Sequence, residues 1–277
     1  MSITPEQPVI PKLKYNAILN VLAKGQHIDK RPLTNYREIR IKTDVIPNAE
    51  GSALVSVGST QVLAGVKLDV GQPYPDTPDE GVLIVNAEFL PAASPTFEPG
   101  PPDENAIELA RVIDRSLREP KVVALDKLAI VPGKKVWIVW LDIYVMDHDG
   151  NLLDASMLAA MAALASAKMP KLVSVDPNTG DVKIDRSVRE DRLPINKYVC
   201  TVTVAKIGNY LVVDPNLEEE AVASAKLAIS VSDDGLIVGI QKMGMGFFTE
   251  DEVKRAINIA LNVAPKLIES IRSAIQH

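Results

Sequence analysis

KVWIVWLDIYVM at 135–146, DHDG at 147–150 and LDASMLAAMAALASAK at 153–168 decide how this chain folds. The first stretch is β-branched and aromatic and almost without charge, the pattern of a strand buried on both faces. The second turns the chain. The third is a helix of alanine, leucine and methionine that stops before Pro170, and its small side chains let it lie close against a sheet. Strand, turn and tightly packed helix make the unit of an α+β layer.

Outward from this unit the chain alternates hairpins with helices. Upstream, Ala53–Val57 and Gln61–Leu68 flank Gly58-Ser59 as a hairpin. Residues 71–102 are rich in proline and glycine and read as loop with one short strand, Val82–Val85. A helix spans Ala106–Arg118, with Asn105 and Glu108 as its capping box and Pro120 as its stop. Nearer the start, Lys12–Ala23 carries Tyr15, Ile18, Leu19 and Leu22 at helical spacing before Gly25. Downstream, Lys197–Ala205 with Tyr210–Val213 turns at Gly208-Asn209, and Lys226–Val231 with Leu236–Ile240 turns at Asp233-Asp234-Gly235. A long helix capped by Thr249 and Glu252 closes the chain, with Val253, Ile257, Leu261, Leu267, Ile268 and Ile271 as its apolar positions. The expectation is hairpin sheets with helices covering one face, in a single domain over 1–277. Its parts are an N-terminal extension at 1–35, a first half at 36–195 and a second half at 196–277.

Composition narrows the function. With 47% hydrophobic and 24% charged residues among 277, the chain has the profile of a soluble globular protein. No apolar run approaches the roughly 20 residues that cross a bilayer, and nothing at the start reads as a signal peptide, so a reducing cytoplasm is expected. Cys200, the one cysteine, sits among Val199, Thr201 and Val202 and reads as a small core hydrophobe. As a nucleophile it would need a histidine nearby, from His27, His148 or His277. The net charge of −6 means that the surface as a whole does not attract nucleic acid, and any that binds must find a local basic patch.

One such patch is Arg111, Arg115 and Arg118, at i, i+4 and i+7 on one face of the second helix, while Ile107, Ala110, Ile113 and Leu117 fall on another. Guanidinium groups in a row suit phosphates. The same arginines could equally be a solvated face paired with Glu108 and Asp114. Glu218-Glu219-Glu220 could ligate Mg²⁺ or simply be an exposed acidic loop. By themselves these residues leave the activity open.

The motifs taken in order go further. GQHIDKR at 25–31 with REIR at 37–40, GSAL at 51–54 with GST at 58–60, RSLR at 115–118, DHDG at 147–150 before the alanine-rich helix, and QKMGMG at 241–246 together resemble the ribonuclease PH family over nearly the whole chain. The resemblance implies an α+β, ribonuclease PH-like (ribosomal S5 domain 2-like) fold with N- and C-terminal helices, and the chemistry of phosphorolytic 3′→5′ RNA degradation.

The departures from that family are at its working residues. Active members hold phosphate with a G-[GS]-[TS]-R loop, where this chain has Gly150-Asn151-Leu152-Leu153-Asp154. Leucine offers no donor, and Asp154 is expected to repel phosphate. The family's two metal-placing aspartates fall at Glu220 and Lys226, and a further family arginine at Asn105. The pattern is similar to the non-catalytic ring subunit of the archaeal exosome, which has the G-N-L-x-D-A loop found here at 150–155. This implies no catalytic residue, no metal and no cofactor of its own, with Mg²⁺ and inorganic phosphate at a partner's site. The implied partners are a catalytic ribonuclease PH-like paralogue in a hetero-hexameric trimer of dimers, S1-domain cap subunits and single-stranded RNA held by Arg111 and Arg115, with no DNA and no membrane. Arg118 could hold RNA too, or tie the helix end internally. Two rivals stand beside this. One is an active exoribonuclease using Glu220 with Asp214 or Glu219 as second ligand, and the other is a stand-alone RNA-binding protein.

Overall fold

The computed structural model describes residues 13–177 and 179–275. The expected helix start at Lys12 and His277 lie outside them. Helix α1 (Tyr15–Leu22) packs on a satellite core of Ile18, Leu22, Ala205, Ile207 and Val212. Strands β1 (Ile39–Thr43), β2 (Gly51–Val57), β3 (Thr60–Gly71) and β4 (Val82–Phe89) follow, then helix α2 (Glu104–Arg118), and then β5 (Ala129–Val131) and β6 (Lys135–Asp147). They form one sheet in the order β1-β2-β3-β6-β4, with β5 beside β6. Strand β6 runs antiparallel to β3 and parallel to β4.

Helix α3 (Leu152–Ser166) comes next, then a two-stranded ribbon of β7 (Lys168–Val175) and β8 (Val182–Arg192). A second sheet, ordered β10-β9-β11-β12, is built from β9 (Val199–Ile207), β10 (Tyr210–Val213), β11 (Ala225–Ser232) and β12 (Ile237–Met243), with a short α4 (Leu217–Val222) between its hairpins. Helix α5 (Glu250–Ile275) ends the described chain, with Thr249 and Glu252 forming the expected reciprocal cap.

Helix α3 lies between the two sheets, touching β2 and β3 on one side and β9 on the other, and every residue from Leu153 to Ser166 is buried. A helix apolar on all sides has to be surrounded. The arrangement corrects the expectation that helices cover one sheet face. Its closeness shows at Gly51, where a Cβ would stand 2.4 Å from the Ala163 carbonyl oxygen. Helix α5 approaches through Ala256, Ala260 and Ala264, which are buried, while Val253, Ile257 and Leu261 are only partly covered.

Four further expectations are corrected. Strand β6 buries one face only: Val139, Leu141, Ile143 and Val145 face α3, while Ile138, Trp140 and Tyr144 are half-buried on the other side. Helix α2 begins two residues early, because Asp103 accepts from the Ala106 N–H at 2.8 Å and Asn105 instead donates to Asp103. Helix α3 ends at Ser166, and Pro170 lies within β7 rather than after a helix. The acidic run 218–220 is a turn of helix α4, and its middle member Glu219 is fully buried.

Candidate functional site

The loop after β6 is held from several sides. Thr60 Oγ1 donates to the Gly150 carbonyl at 2.7 Å and accepts from the Asp149 N–H at 3.0 Å. Arg37 donates to the carbonyls of Asp149 at 2.6 Å and Gly150 at 3.3 Å. It also grips Asp214 through Nε at 2.9 Å and Nη2 at 2.8 Å. Arg31 donates to the carbonyl oxygens of Val213 and Asp214. Arg31 and Arg37 of the 25–40 motifs therefore brace this region from inside, while Arg40 is exposed and pairs with Glu38.

Asn151 caps α3 in the left-handed region at φ 54°, a conformation asparagine tolerates. Its side-chain amide donates to Asp214 at 2.7 Å and to Asp154 at 2.9 Å. Asp154 is wholly buried and accepts from Tyr36 Oη at 2.6 Å, the Thr203 N–H at 2.8 Å and Thr203 Oγ1 at 2.7 Å. Burial pushes its pKa up to about 6, against the opposing pull of these hydrogen bonds. The expectation that Asp154 repels phosphate is therefore corrected: both its oxygens are committed inside the fold, tying the start of α3 to β9.

Leu152, Glu220, Lys226 and Asn105 come together around one cavity of about 280 Å³. Leu152 opens α3, α2 carries Asn105, α4 carries Glu220 and Lys226 is the second residue of β11. Lys226 Nζ stands 2.7 Å from Glu220 Oε1, and both side chains are largely sheltered. Lys226 already supplies the positive charge beside Glu220 and would repel a second cation there, so these residues do not fit the metal. The suggested second ligands fail as well. Asp214 is spent on Arg37 and Asn151. Glu219 is spent on His27 Nδ1 at 2.9 Å and on the N–H groups of Ile28 and Asn216. Cys200 is buried and hydrogen-bonds to the Ala264 carbonyl, and burial pushes its thiol pKa up, which is the condition of a core residue.

Phe89 and Phe97 line the cavity and were not singled out in the sequence, and Met243, from the QKMGMG motif at 241–246, lines it as well. His148 lines it too, although the sequence offered it only as a partner for Cys200. Phe97 stacks on His148 with ring centroids 5.4 Å apart. Burial lowers the His148 pKa, the charges of Glu220 and Lys226 acting in opposite directions. The signal available in the sequence was that His148 belongs to the DHDG turn itself.

The three arginines do not enter this cavity. Arg115 Nη2 donates to Gln241 Oε1 at 3.1 Å, reaching across to β12, and Gln241 in turn donates to Glu108. Arg111 is exposed and has no hydrogen bond or ion pair with the described residues. With Arg118 it lines a groove along the edge of β4. Arg118 binds Asp114 at 2.6 Å and donates to the Leu83 carbonyl at 2.9 Å, so it does tie the helix end internally. Ile107, expected on the apolar face, is 47% exposed and lines the same groove.

Comparison with known proteins agrees with this architecture. Residues 35–170 match the model of the 3′ exoribonuclease family, domain 1, of RNase PH type, and residues 197–263 match domain 2 of that family. The chain is 51% identical over 277 residues to the exosome complex component Rrp42 of Aeropyrum pernix, covering all of both chains. It is 49% identical over 270 residues to the protein of the same name in Thermococcus onnurineus, covering 98% of each. Among solved structures it superposes on a chain of the Archaeoglobus fulgidus exosome with RNA bound to the active site. The TM-score is 0.85 and the identity 45%, covering 95% of this chain and 99% of that one.

Proposed function

Because the chain belongs to the 3′ exoribonuclease family of RNase PH type, we propose that it is the non-catalytic subunit of an archaeal exosome. It alternates with a catalytic ribonuclease PH-like paralogue in a hexameric ring. It shapes the paralogue's active site from the side, lines the RNA path and supports S1-domain caps, in a reducing cytoplasm. The observation that carries the absence of catalysis is the Glu220–Lys226 ion pair, standing where active relatives are expected to place two carboxylates for metal. Leu152 at the phosphate-loop position and Asn105 at an arginine position point the same way. Phosphoryl transfer depends almost wholly on positioning and charge stabilisation, and this cavity offers an internally neutralised pair and an apolar wall. Mg²⁺ and inorganic phosphate then belong to the partner's site.

The test is phosphate-dependent release of nucleoside diphosphate from single-stranded RNA with Mg²⁺. The chain alone is expected to release none. Together with the catalytic paralogue it is expected to raise release above that of the paralogue by itself. Release by the chain alone would overturn the reading.

The arginines divide in a second measurement on the assembled ring. Arg111→Ala and Arg115→Ala are each expected to weaken RNA binding about 3- to 10-fold at low salt and to reduce the salt slope by roughly one counterion. Arg118→Ala is expected to leave RNA affinity unchanged and instead to lower stability by about 1 kcal/mol, since it breaks the bonds to Asp114 and Leu83. Equal effects of all three on RNA affinity would show that the internal ties of Arg118 are irrelevant to its role.

A further inference from the structure

We propose that the cavity beside Glu220 and Lys226 binds an uncharged nucleobase, best a purine carried as a nucleoside, and refuses phosphate. The proposal rests on the reading that this cavity turns nothing over. It does not depend on ring assembly, so the two can fail separately.

The first argument is the wall. Phe97 lies 4.9 Å from Phe89 and stacks on His148 with an interplanar angle of 15°, and all three rings line the cavity. Leu152 and Met243 complete an apolar surround. A planar aromatic guest gains from such rings without regard to sequence, and a purine gains most because it is largest. The volume of about 280 Å³ lies at the lower end of small-molecule pockets, enough for one nucleoside and not for a strand.

The second argument is charge. Among the described residues Lys226 is the one cationic side chain lining the cavity, and it is neutralised by Glu220 at 2.7 Å. Glu108 adds a further carboxylate at the rim. His148 Nδ1 accepts from the Gly150 N–H at 3.3 Å, which leaves the neutral ring its Nε2 proton. A phosphate would meet carboxylates and no free cation.

The third argument is the pair itself. Glu220 Oε2 and the remaining N–H groups of Lys226 have no partner among the described residues. They present an acceptor beside a donor. The Watson–Crick edge of a base presents a donor beside an acceptor, as in the amino group and N1 of adenine. An ion pair that would be a poor metal site is thus a fitting one for a base edge.

The probes are adenosine, AMP and inorganic phosphate, titrated onto the full chain by isothermal calorimetry and by saturation-transfer NMR. Adenosine is expected to bind, AMP about tenfold or more weakly, and phosphate not at all. Phe97→Ala is expected to weaken adenosine binding about tenfold, in line with the loss of one stacked base. Leu152→Arg, which restores a cation to the cavity, should reverse the order so that AMP binds better than adenosine, and it serves as the second variant should Phe97→Ala unfold. An oligoadenylate that displaces adenosine would name an RNA base as the natural guest, and one that does not would name the free nucleoside. No adenosine binding at millimolar concentration, tighter binding of AMP than adenosine by the unaltered chain, or a folded Phe97→Ala variant that binds normally would each overturn the proposal.

Discussion

Replacing Gly150 by alanine is expected to lower the unfolding free energy by about 3–5 kcal/mol, which for a chain of this size is a fall in Tm of roughly 10 °C. Two costs add. Gly150 sits at φ +84°, where an L-residue with a Cβ loses about 1–2 kcal/mol. The new Cβ would also stand 2.5 Å from the Asn216 carbonyl carbon, 2.6 Å from the Leu217 nitrogen and 2.7 Å from the Pro215 carbonyl oxygen. All three are backbone atoms, so relief requires moving the start of α4, and with it Glu220. Gly133→Ala is the internal reference. Its φ is +74° and a Cβ there would meet nothing within 4 Å, so it should cost only the backbone term of about 1–2 kcal/mol. Calorimetric unfolding of the two variants side by side checks the claim. Equal losses would mean that the loop after β6 and the start of α4 are not in contact, and would remove the account of how the cavity is positioned.

How much of this was legible in the chain depends on the range of the interaction. The hairpins at Gly58-Ser59, Gly208-Asn209 and Asp233-Asp234-Gly235 were readable because the turn chemistry is local: Gly58, Gly208 and Gly235 all adopt positive φ. Helix α3 was readable as a packed helix from its alanines, but its place between two sheets was not, since composition does not say how many faces are covered. Strand β6 looked buried on both faces because Ile138, Trp140 and Tyr144 are large and apolar, yet large apolar residues also stand half-covered on surfaces. The β7–β8 ribbon left little signature. Its residues are almost all exposed or half-exposed, its alternation of apolar and polar side chains is confined to the short run Val182-Lys183-Ile184-Asp185, and Pro170 was mistaken for a helix stop.

The site divides in the same way. Glu220 and Lys226 were placed at the metal positions by the family resemblance, and the short run from α4 into β11 brings them into contact. Asp214 and Glu219 looked available for metal because acidic residues in sequence carry no mark of burial. The partners that consume them, Arg37 and His27, lie 177 and 192 positions away. Asp154 was misread for the same reason: Tyr36 and Thr203, which occupy its oxygens, come from 118 positions upstream and 49 downstream. Long-range hydrogen bonds of this kind turn a row of apparently catalytic carboxylates into internal braces.

Asp154 gives the sharpest test of that conversion. Asp154→Ala is expected to cost about 4 kcal/mol, because it strands the Thr203 N–H, the Asn151 amide and the Tyr36 hydroxyl in a fully buried place. Asp154→Asn should stay within about 1 kcal/mol of the unaltered chain at pH 7. Its carbonyl oxygen can take the three donors now on Oδ2, its amide can donate to Thr203 Oγ1, and the cost of a buried charge disappears. The pH response separates the two states. The folded-state pKa of Asp154, about 6, lies above the ordinary 3.8, so the fold binds this proton more tightly than the unfolded chain does. Its contribution to stability is therefore complete below the ordinary carboxylate range and is lost as pH rises through about 6. The unaltered chain should gain on the order of 2–3 kcal/mol relative to Asp154→Asn between pH 7 and pH 4. Denaturant midpoints of both chains across that range measure it. Parallel curves, or an asparagine variant as unstable as the alanine one, would mean that a charge on Asp154 is required inside the fold and that burial does not set its ionisation.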